Sequence, residues 1–376
     1  TVIATANGCN SVPVSYVITV RPTPILTISP NQTICGGSSS SLTTFSNSVL
    51  GGTFAWALLN PAAVPGTITG FPTTGNGQIP ASVINNGGVA PYTLNYTITP
   101  TANGCQGTAI PFSITVNPAP VTVFSQANQS LCTGGSSSLV TLSSATPAVT
   151  FSWTATVPSG IGNFSPTTGT NTIPVYNNLT NFGVTPLTIS IIASATTSGN
   201  SQCPGAPANY TITVNPAPQA TAVFNSNDTI CSGAQLNISL SSTTPSTLFT
   251  WTATNGSGVT GGTNSVAPNT TIQQTLNNNS LVVGSVSYLV TPISSGCSGL
   301  PLSVTGYVNP IAIMTGLTNI AVCSGDQINP AAFVSNPVGS TFAWTNNNPL
   351  IGLAANGVGS ISPWQAPVNN TNSTIS

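Results

Sequence analysis

Tyr92–Pro120 reads YTLNYTITPTANGCQGTAIPFSITVNPAP, and it contains every local signal needed to fix the fold class. Phe112, Ile114 and Val116 alternate with Ser113 and Thr115, the period-two pattern of a half-buried antiparallel strand. The Asn103-Gly104 pair ahead of that strand is a hairpin signal, because both residues accept the left-handed backbone of a tight turn. The stretch closes on Asn117-Pro-Ala-Pro120. Proline fixes its own φ and restrains its predecessor, so the strand runs out stiffly into whatever follows.

The same grammar recurs along the chain. Val14, Tyr16, Ile18 and Val20 alternate in one copy, and Tyr210, Ile212 and Val214 in another. The proline junction returns as Arg21-Pro-Thr-Pro24, Asn215-Pro-Ala-Pro218 and Asn309-Pro310. Phe54-Ala-Trp56, Phe151-Ser-Trp153, Phe249-Thr-Trp251 and Phe342-Ala-Trp344 set the tryptophans 97, 98 and 93 residues apart. A repeat of roughly 95 residues is large enough to bury its own core, and a fixed period of this kind marks an array.

Short alternating strands punctuated by Gly, Pro and Asn predict an all-β fold, a tandem array of seven-stranded Ig-like β-sandwich domains. The expected divisions are 1–22, the last strands of a preceding repeat; 23–118, 119–216 and 217–310, three repeats; and 311–376, the first part of another. In the first complete repeat the seven strands fall at Pro24–Ser29, Ser41–Ser46, Thr53–Leu59, Thr67–Phe71, Gln78–Ile84, Tyr92–Pro100 and Thr108–Val116. Trp56, Trp153, Trp251 and Trp344 are expected in the sandwich cores, while Trp364 breaks the register and is the candidate exposed aromatic. Thr1–Asn10 matches Tyr96–Gln106, and Pro367–Asn370 matches Pro174–Asn178. The sequence thus reads as a window from a longer chain, one that extends by about 33 Å per ten-residue strand, or roughly 140–160 Å for four modules in line.

Charge is almost absent. Arg21 is the only basic residue, Asp228 and Asp326 are the only acids, and there is no His, whereas ordinary domains are about a quarter charged. Phosphate recognition needs a basic face, so nucleic acid is excluded as a partner. Attraction to anionic membranes fails for the same reason, and no apolar run of about 20 residues suggests direct membrane insertion. Disorder does not fit a chain that is 39% hydrophobic and nearly neutral. An uncharged surface also lacks the repulsion that keeps proteins apart, which favours lateral association.

Catalysis fails on inventory. No His or Lys can serve as the base of a triad, and the two carboxylates stand at equivalent turns of successive repeats, too far apart to cooperate. Calcium sites need several acidic oxygens. No cofactor and no metal is expected.

Eight cysteines form two classes. Cys35, Cys132, Cys231 and Cys323 stand in Cys-x-Gly turns, and Cys9, Cys105, Cys203 and Cys297 in the last hairpin. Zinc wants close pairs or His partners; an even cysteine count without either points to disulfides in an oxidising compartment. Pairing within each repeat gives Cys35–Cys105, Cys132–Cys203 and Cys231–Cys297. Parity disfavours it: five strands lie between the two cysteines, and an odd number ends at the opposite pole. The sulfurs would then be about 30 Å apart, against a Cα limit of about 7 Å. Pairing across the junction gives Cys35–Cys203 and Cys132–Cys297, with the other four cysteines joined to repeats outside the window. A strand count off by one restores the pairing within repeats, and interchain bonds are a third arrangement, so the alternatives stay open here.

Asn-x-Ser/Thr sequons are numerous, including Asn31, Asn95, Asn128, Asn178, Asn227, Asn237 and Asn255, but this composition produces most of them by chance. Asp228-Thr229-Ile230 resembles the Asp-Ser/Thr-apolar O-glycan site of secreted Bacteroidota proteins, making Thr229 a candidate for modification.

Taken together, the Cys-x-Gly turn, the Phe-x-Trp strand, the Ala-Asn-Gly-Cys hairpin at Ala6–Cys9 and Ala102–Cys105 and the Val-Asn-Pro ending resemble a known family. It is that of the Ig-like or PKD-like repeats of very large Bacteroidota surface proteins, gliding adhesins exported by the type IX system among them. The resemblance implies a secreted, cell-surface or filament location and a structural or adhesive role. The family commonly carries more charge, and its C-terminal sorting domain is not visible in this sequence. Two functions follow. In the first, the chain is a structural polymer or stalk whose partners are copies of itself or neighbouring repeats. In the second, Thr- and Asn-rich faces grip surface polysaccharide; sugar binders, however, expose flat aromatics, and four of the five tryptophans occupy core positions.

Overall fold

The structure, a computed structural model, describes residues 1–199 and 201–376. The chain is a tandem array of β-sandwiches, with single 3-10 turns at Pro61–Ala63 and Pro349–Ile351 as the helical pieces among the described residues. It divides into two compact units, Thr1–Thr180 with Leu187–Val214, and Asn181–Pro186 with Asn215–Ser376.

The first unit opens on a small hairpin, Thr5–Ala6 against Cys9–Asn10, and continues into two sandwiches. In the first sandwich the larger sheet runs Gln32–Cys35, Ile110–Asn117, Tyr92–Ala102, Thr53–Leu58, Thr74–Asn76. Tyr92–Ala102 and Ile110–Asn117 pair antiparallel, whereas Gln32–Cys35 joins Ile114–Asn117 in parallel. The facing layer consists of Leu26–Ile28 with Phe45–Asn47, and Ser38–Ser39, Val83–Asn86 and Ile68–Thr69. Period-two alternation sends Leu94, Tyr96 and Ile98 from one strand, and Phe112, Ile114 and Val116 from the next, into the gap between layers. Trp56 and Ile84 meet them there.

The second sandwich repeats the plan: Gln129–Cys132, Ala208–Asn215, Leu187–Thr197, Val149–Thr156 and Thr168–Thr170 face Val123–Phe124, Val140–Ser143 and Thr172–Ile173. In the second unit Thr229–Cys231, Leu302–Asn309, Gly284–Ser294 and Leu248–Asn255 face Thr221–Phe224, Gln235–Ser241 and Thr271–Thr275. Each of the three sandwiches has its own apolar core.

Trp56, Trp153 and Trp251 are buried in those cores. A glycine lies across the strand pair from the first two: Gly75 opposite Trp56 and Gly169 opposite Trp153. A Cβ on Gly75 would stand 2.4 Å from the indole and one on Gly169 2.7 Å, so only glycine lets the ring lie flat on the neighbouring strand. Trp344 has the same partner, Gly357, but departs from the expected core position. It is half-buried, because the strands that carry Tyr96 and Phe112 in the first sandwich have no equivalent above it among the described residues. Trp364 also differs from expectation. It is half-buried rather than exposed, and its indole N–H donates to the Ile351 carbonyl at 2.9 Å.

The strand inventory departs from seven as well. The three long strands form nearly where the alternation places them, while Gln32–Cys35 and Thr74–Asn76 are additional. The first of these decides where Cys35 goes.

Candidate functional site

Every complete sandwich has two poles, and its two cysteines mark them. Cys35 ends the parallel strand in register with Asn117, the last residue before the proline junction. Gly36 N donates to Asn117 O at 2.8 Å and Gly37 N to Ile84 O at 2.8 Å, which closes the turn. Gly37 has φ 85°, and a Cβ on Gly36 would stand 2.9 Å from the Asn86 nitrogen. The glycine of the Cys-x-Gly signature is therefore a backbone requirement of this turn, and Gly134, Gly233 and Gly325 share its positive φ.

Asn86 clasps the same pole. Its amide donates to Ala90 O at 3.0 Å and to Val116 O at 2.8 Å, while its Oδ1 accepts from Gly88 N at 2.9 Å. Asn278 repeats the clasp, donating to Val282 O and Val308 O at 2.8 and 2.7 Å and accepting from Ser280 N. Such a buried amide is tolerated because both of its N–H donors and its oxygen are engaged.

The hairpin cysteine sits at the opposite, leading pole. Two residues after each one comes a glycine packed on the carbonyl of a junction proline. A Cβ on Gly107 would lie 2.1 Å from Pro24 O, one on Gly205 1.8 Å from Pro120 O, and one on Gly299 1.7 Å from Pro218 O. Cys203 N donates to Thr197 Oγ1 at 2.9 Å, and Thr197 N to Cys203 O at 3.0 Å. Cys203 is fully buried.

Within the first unit the two poles meet, and Cys35 is bonded to Cys203 with a Cα separation of 5.4 Å. A cleft of about 410 Å³ flanks the bond's junction, bounded by Thr33 and Pro118 on the first sandwich and by Pro147 and Ser198 on the second. Pairing within repeats does not occur. Cys35 and Cys203 take each other, and Cys105 and Cys231 are free thiols, which rules out Cys35–Cys105, Cys132–Cys203 and Cys231–Cys297. The reason is the length of the last strand. Ile110–Asn117 separates the Cys105 hairpin from Cys35, and eight extended residues span about 26 Å.

Charge is put to local use. Arg21 donates through its guanidinium to the Asn103 carbonyl at the hairpin tip. Asp326 Oδ2 accepts from Cys323 N at 3.1 Å. Thr229 is half-buried, its hydroxyl donating to Asp228 Oδ1 at 3.0 Å. Two sequon asparagines act as ties: Asn31 Oδ1 accepts from Ser113 N and Asn128 Oδ1 from Thr211 N, each at 3.0 Å.

The glycine contacts were written in the sequence as Cys-Gln-Gly107, Cys-Pro-Gly205 and Cys-Ser-Gly299, a second Cys-x-Gly series in the hairpins. Three glycines at one offset from three cysteines are the signal that finds them.

The pattern of the PKD-like domain family matches residues 32–120 and 228–312. Those two stretches are similar to that family and amount to just under half of the chain. The intervening sandwich has the same strand order. No curated protein is similar to this sequence. Among solved structures, a three-Ig structure of titin domains is 12% identical with TM-score 0.32, covering 78% of this chain and all of that one. Protocadherin gamma B2 extracellular cadherin domains are 12% identical with TM-score 0.31, covering 93% of both chains. A mouse cadherin-23 fragment is 11% identical with TM-score 0.28, covering 77% of this chain and 99% of that one. Superpositions this loose add nothing further about this chain. No helix among the described residues is long and apolar enough to cross a membrane.

Proposed function

We propose that the chain is the structural repeat region of an extracellular filament, stalk or fibre-forming surface protein, in which each sandwich is covalently stapled to the next. The Cys35–Cys203 bond supports this reading above all else, because it joins the trailing pole of one sandwich to the leading pole of the following one. Repeat boundaries at 22/23, 118/119, 216/217 and 310/311 place one proline junction at each division. Cys132 and Cys297 hold the positions of Cys35 and Cys203 one repeat further along, and we assign them the same bond. Disulfides persist in oxidising compartments, consistent with a secreted or surface location of the giant Bacteroidota kind, with type IX export. Thr229 is the proposed glycan site. The reading is not enzymatic: one Arg, two Asp and no His provide no acid–base pair.

A peptic map of non-reduced protein tests it, since a single basic residue makes trypsin of little use. Peptides joining Cys35 to Cys203 and Cys132 to Cys297 are expected. A map with neither peptide sinks the stapled array, and intact mass equal to the bare sequence sinks glycosylation at Thr229.

A further inference from the structure

Thr221–Phe224 is the outermost strand of the facing layer in the third sandwich, and one of its edges is unpaired among the described residues. It runs antiparallel to Gln235–Ser241, with Thr221 opposite Ser241 and Val223 opposite Ser239. Just beyond it, Asn225 N donates to Asn237 O at 3.0 Å. Bonding direction alternates along a strand, so Thr221, Val223 and Asn225 bond inward. The N–H and C=O groups of Ala222 and Phe224 therefore point away from the sheet. Among the described residues no strand, loop or side chain takes them. The Ala222 and Phe224 side chains pack against the core, which holds the strand extended.

Other edges are closed. Along Leu248–Asn255 in the same sandwich, Phe249 N donates to Asn269 O at 3.0 Å, Ser265 N to Trp251 O at 3.0 Å and Ala253 N to Asn264 Oδ1 at 2.8 Å. The equivalents of the open strand are also protected. Leu26–Ile28 lies between Pro24 and Pro30, and Val123–Phe124 is a two-residue strand behind Pro120. Shortness, proline and charge are the devices that stop an edge from recruiting another strand. Thr221–Phe224 is longer than both, and Gln219–Thr244 contains no proline and Asp228 as its one charge.

Such an edge fits an uncharged extended strand, and this strand fits itself. A two-fold axis through Val223 sets Ala222 opposite Phe224 of a second copy, and Phe224 opposite the second copy's Ala222. Each of those pairs exchanges both of its N–H···O bonds. Thr221 comes opposite Asn225, hydroxyl beside amide. Val223, 61% exposed in the single chain, meets its own counterpart at a Cα separation of about 4.5 Å.

We infer that Thr221–Phe224 pairs antiparallel with the same strand of a second copy, joining two chains side by side. The inference adds a lateral contact to the structural-array reading and shares no residue with the Cys35–Cys203 bond. The contact is small, of the weak and reversible class.

Sedimentation velocity of the 376-residue chain, from micromolar to millimolar concentration and with free thiols capped by iodoacetamide, tests it. A reversible dimer is expected. Val223→Lys and Val223→Glu each set like charges in direct opposition and weaken dimerisation about tenfold. Mixed in equal amounts, the two variants recover the dimer, because opposite charges then face each other. Leu50→Lys, at a site 98% exposed in the first sandwich, dimerises like the unmodified sequence. A monomer at every concentration overturns the inference. So does a Val223→Lys dimer of undiminished strength, a charge-mixed pair that stays monomeric, or a Leu50→Lys chain as weak as Val223→Lys. A monomer that still yields the Cys35–Cys203 peptide removes the lateral contact and leaves the stapled array standing.

Discussion

Gly205 lies directly beneath the carbonyl of Pro120, so close that a Cβ built on it would stand 1.8 Å from that oxygen. Both partners are backbone, and neither can swing aside. The contact seats the second sandwich's last hairpin against its own leading end and thereby aims Cys203 at Cys35. Gly205→Ala is expected to destabilise this sandwich by about 1–3 kcal/mol, the usual cost of overpacking. Urea unfolding followed by tryptophan fluorescence reads it, and a wild-type midpoint would refute the contact's importance.

The Asn86 clasp makes a second expectation. Two of its three bonds are donated by the amide nitrogen. Asn86→Asp keeps the shape but loses both donors, and with a buried acceptor costing about 1–3 kcal/mol when left unmade, it should destabilise by at least that much. Asn95→Asp, on an exposed face of the sheet, should stay within about 0.5 kcal/mol. Equal midpoints for the two variants would contradict the clasp.

Removing the staple has a graded outcome. Cys35→Ser should cost about 2–5 kcal/mol, the range for a native disulfide closing a long loop. Cys105→Ser, at a free half-buried thiol, should cost much less. Parallel thermal melts decide, and a Cys105→Ser melt as low as that of Cys35→Ser would argue against the assigned pairing.

These three tests also show what the sequence carried. The long strands were legible because Tyr92–Ala102 and Ile110–Asn117 alternate cleanly over eight or more residues. Gln32–Cys35 was not: four residues in parallel with a neighbour carry no alternation to read, and the Cys-x-Gly turn alone suggested that the first strand was followed directly by a loop. Parity nonetheless put Cys35 and Cys105 at opposite poles, as the extra parallel strand also does. Trp344 and Trp364 were misplaced because burial depends on strands that their own local sequence does not specify.

Stability should be nearly independent of pH until the tyrosines titrate. Burial pushes Tyr96, Tyr176 and Tyr288 up to about 12, and it raises Tyr210 as well, against a lowering hydrogen bond from Gln129. The unfolded chain releases those protons near pH 10, before the folded one does. The stabilisation is therefore complete below about pH 10 and drains away between about 10 and 12. Melting temperatures at half-unit steps from pH 5 to 12 check this, and a decline beginning near neutrality would refute it.

The Cys35–Cys203 bond alters what a pull on the chain would meet. It connects two residues separated by 168 positions of sequence across 5.4 Å between their Cα atoms. Tension entering at one sulfur leaves at the other, and the polypeptide between them carries none of it. Were both sandwiches to melt, a stretch of that length could otherwise pay out about 550–600 Å of slack; the bond withholds all of it. A chain closed this way trades the give of a shock absorber for the constancy of a cable.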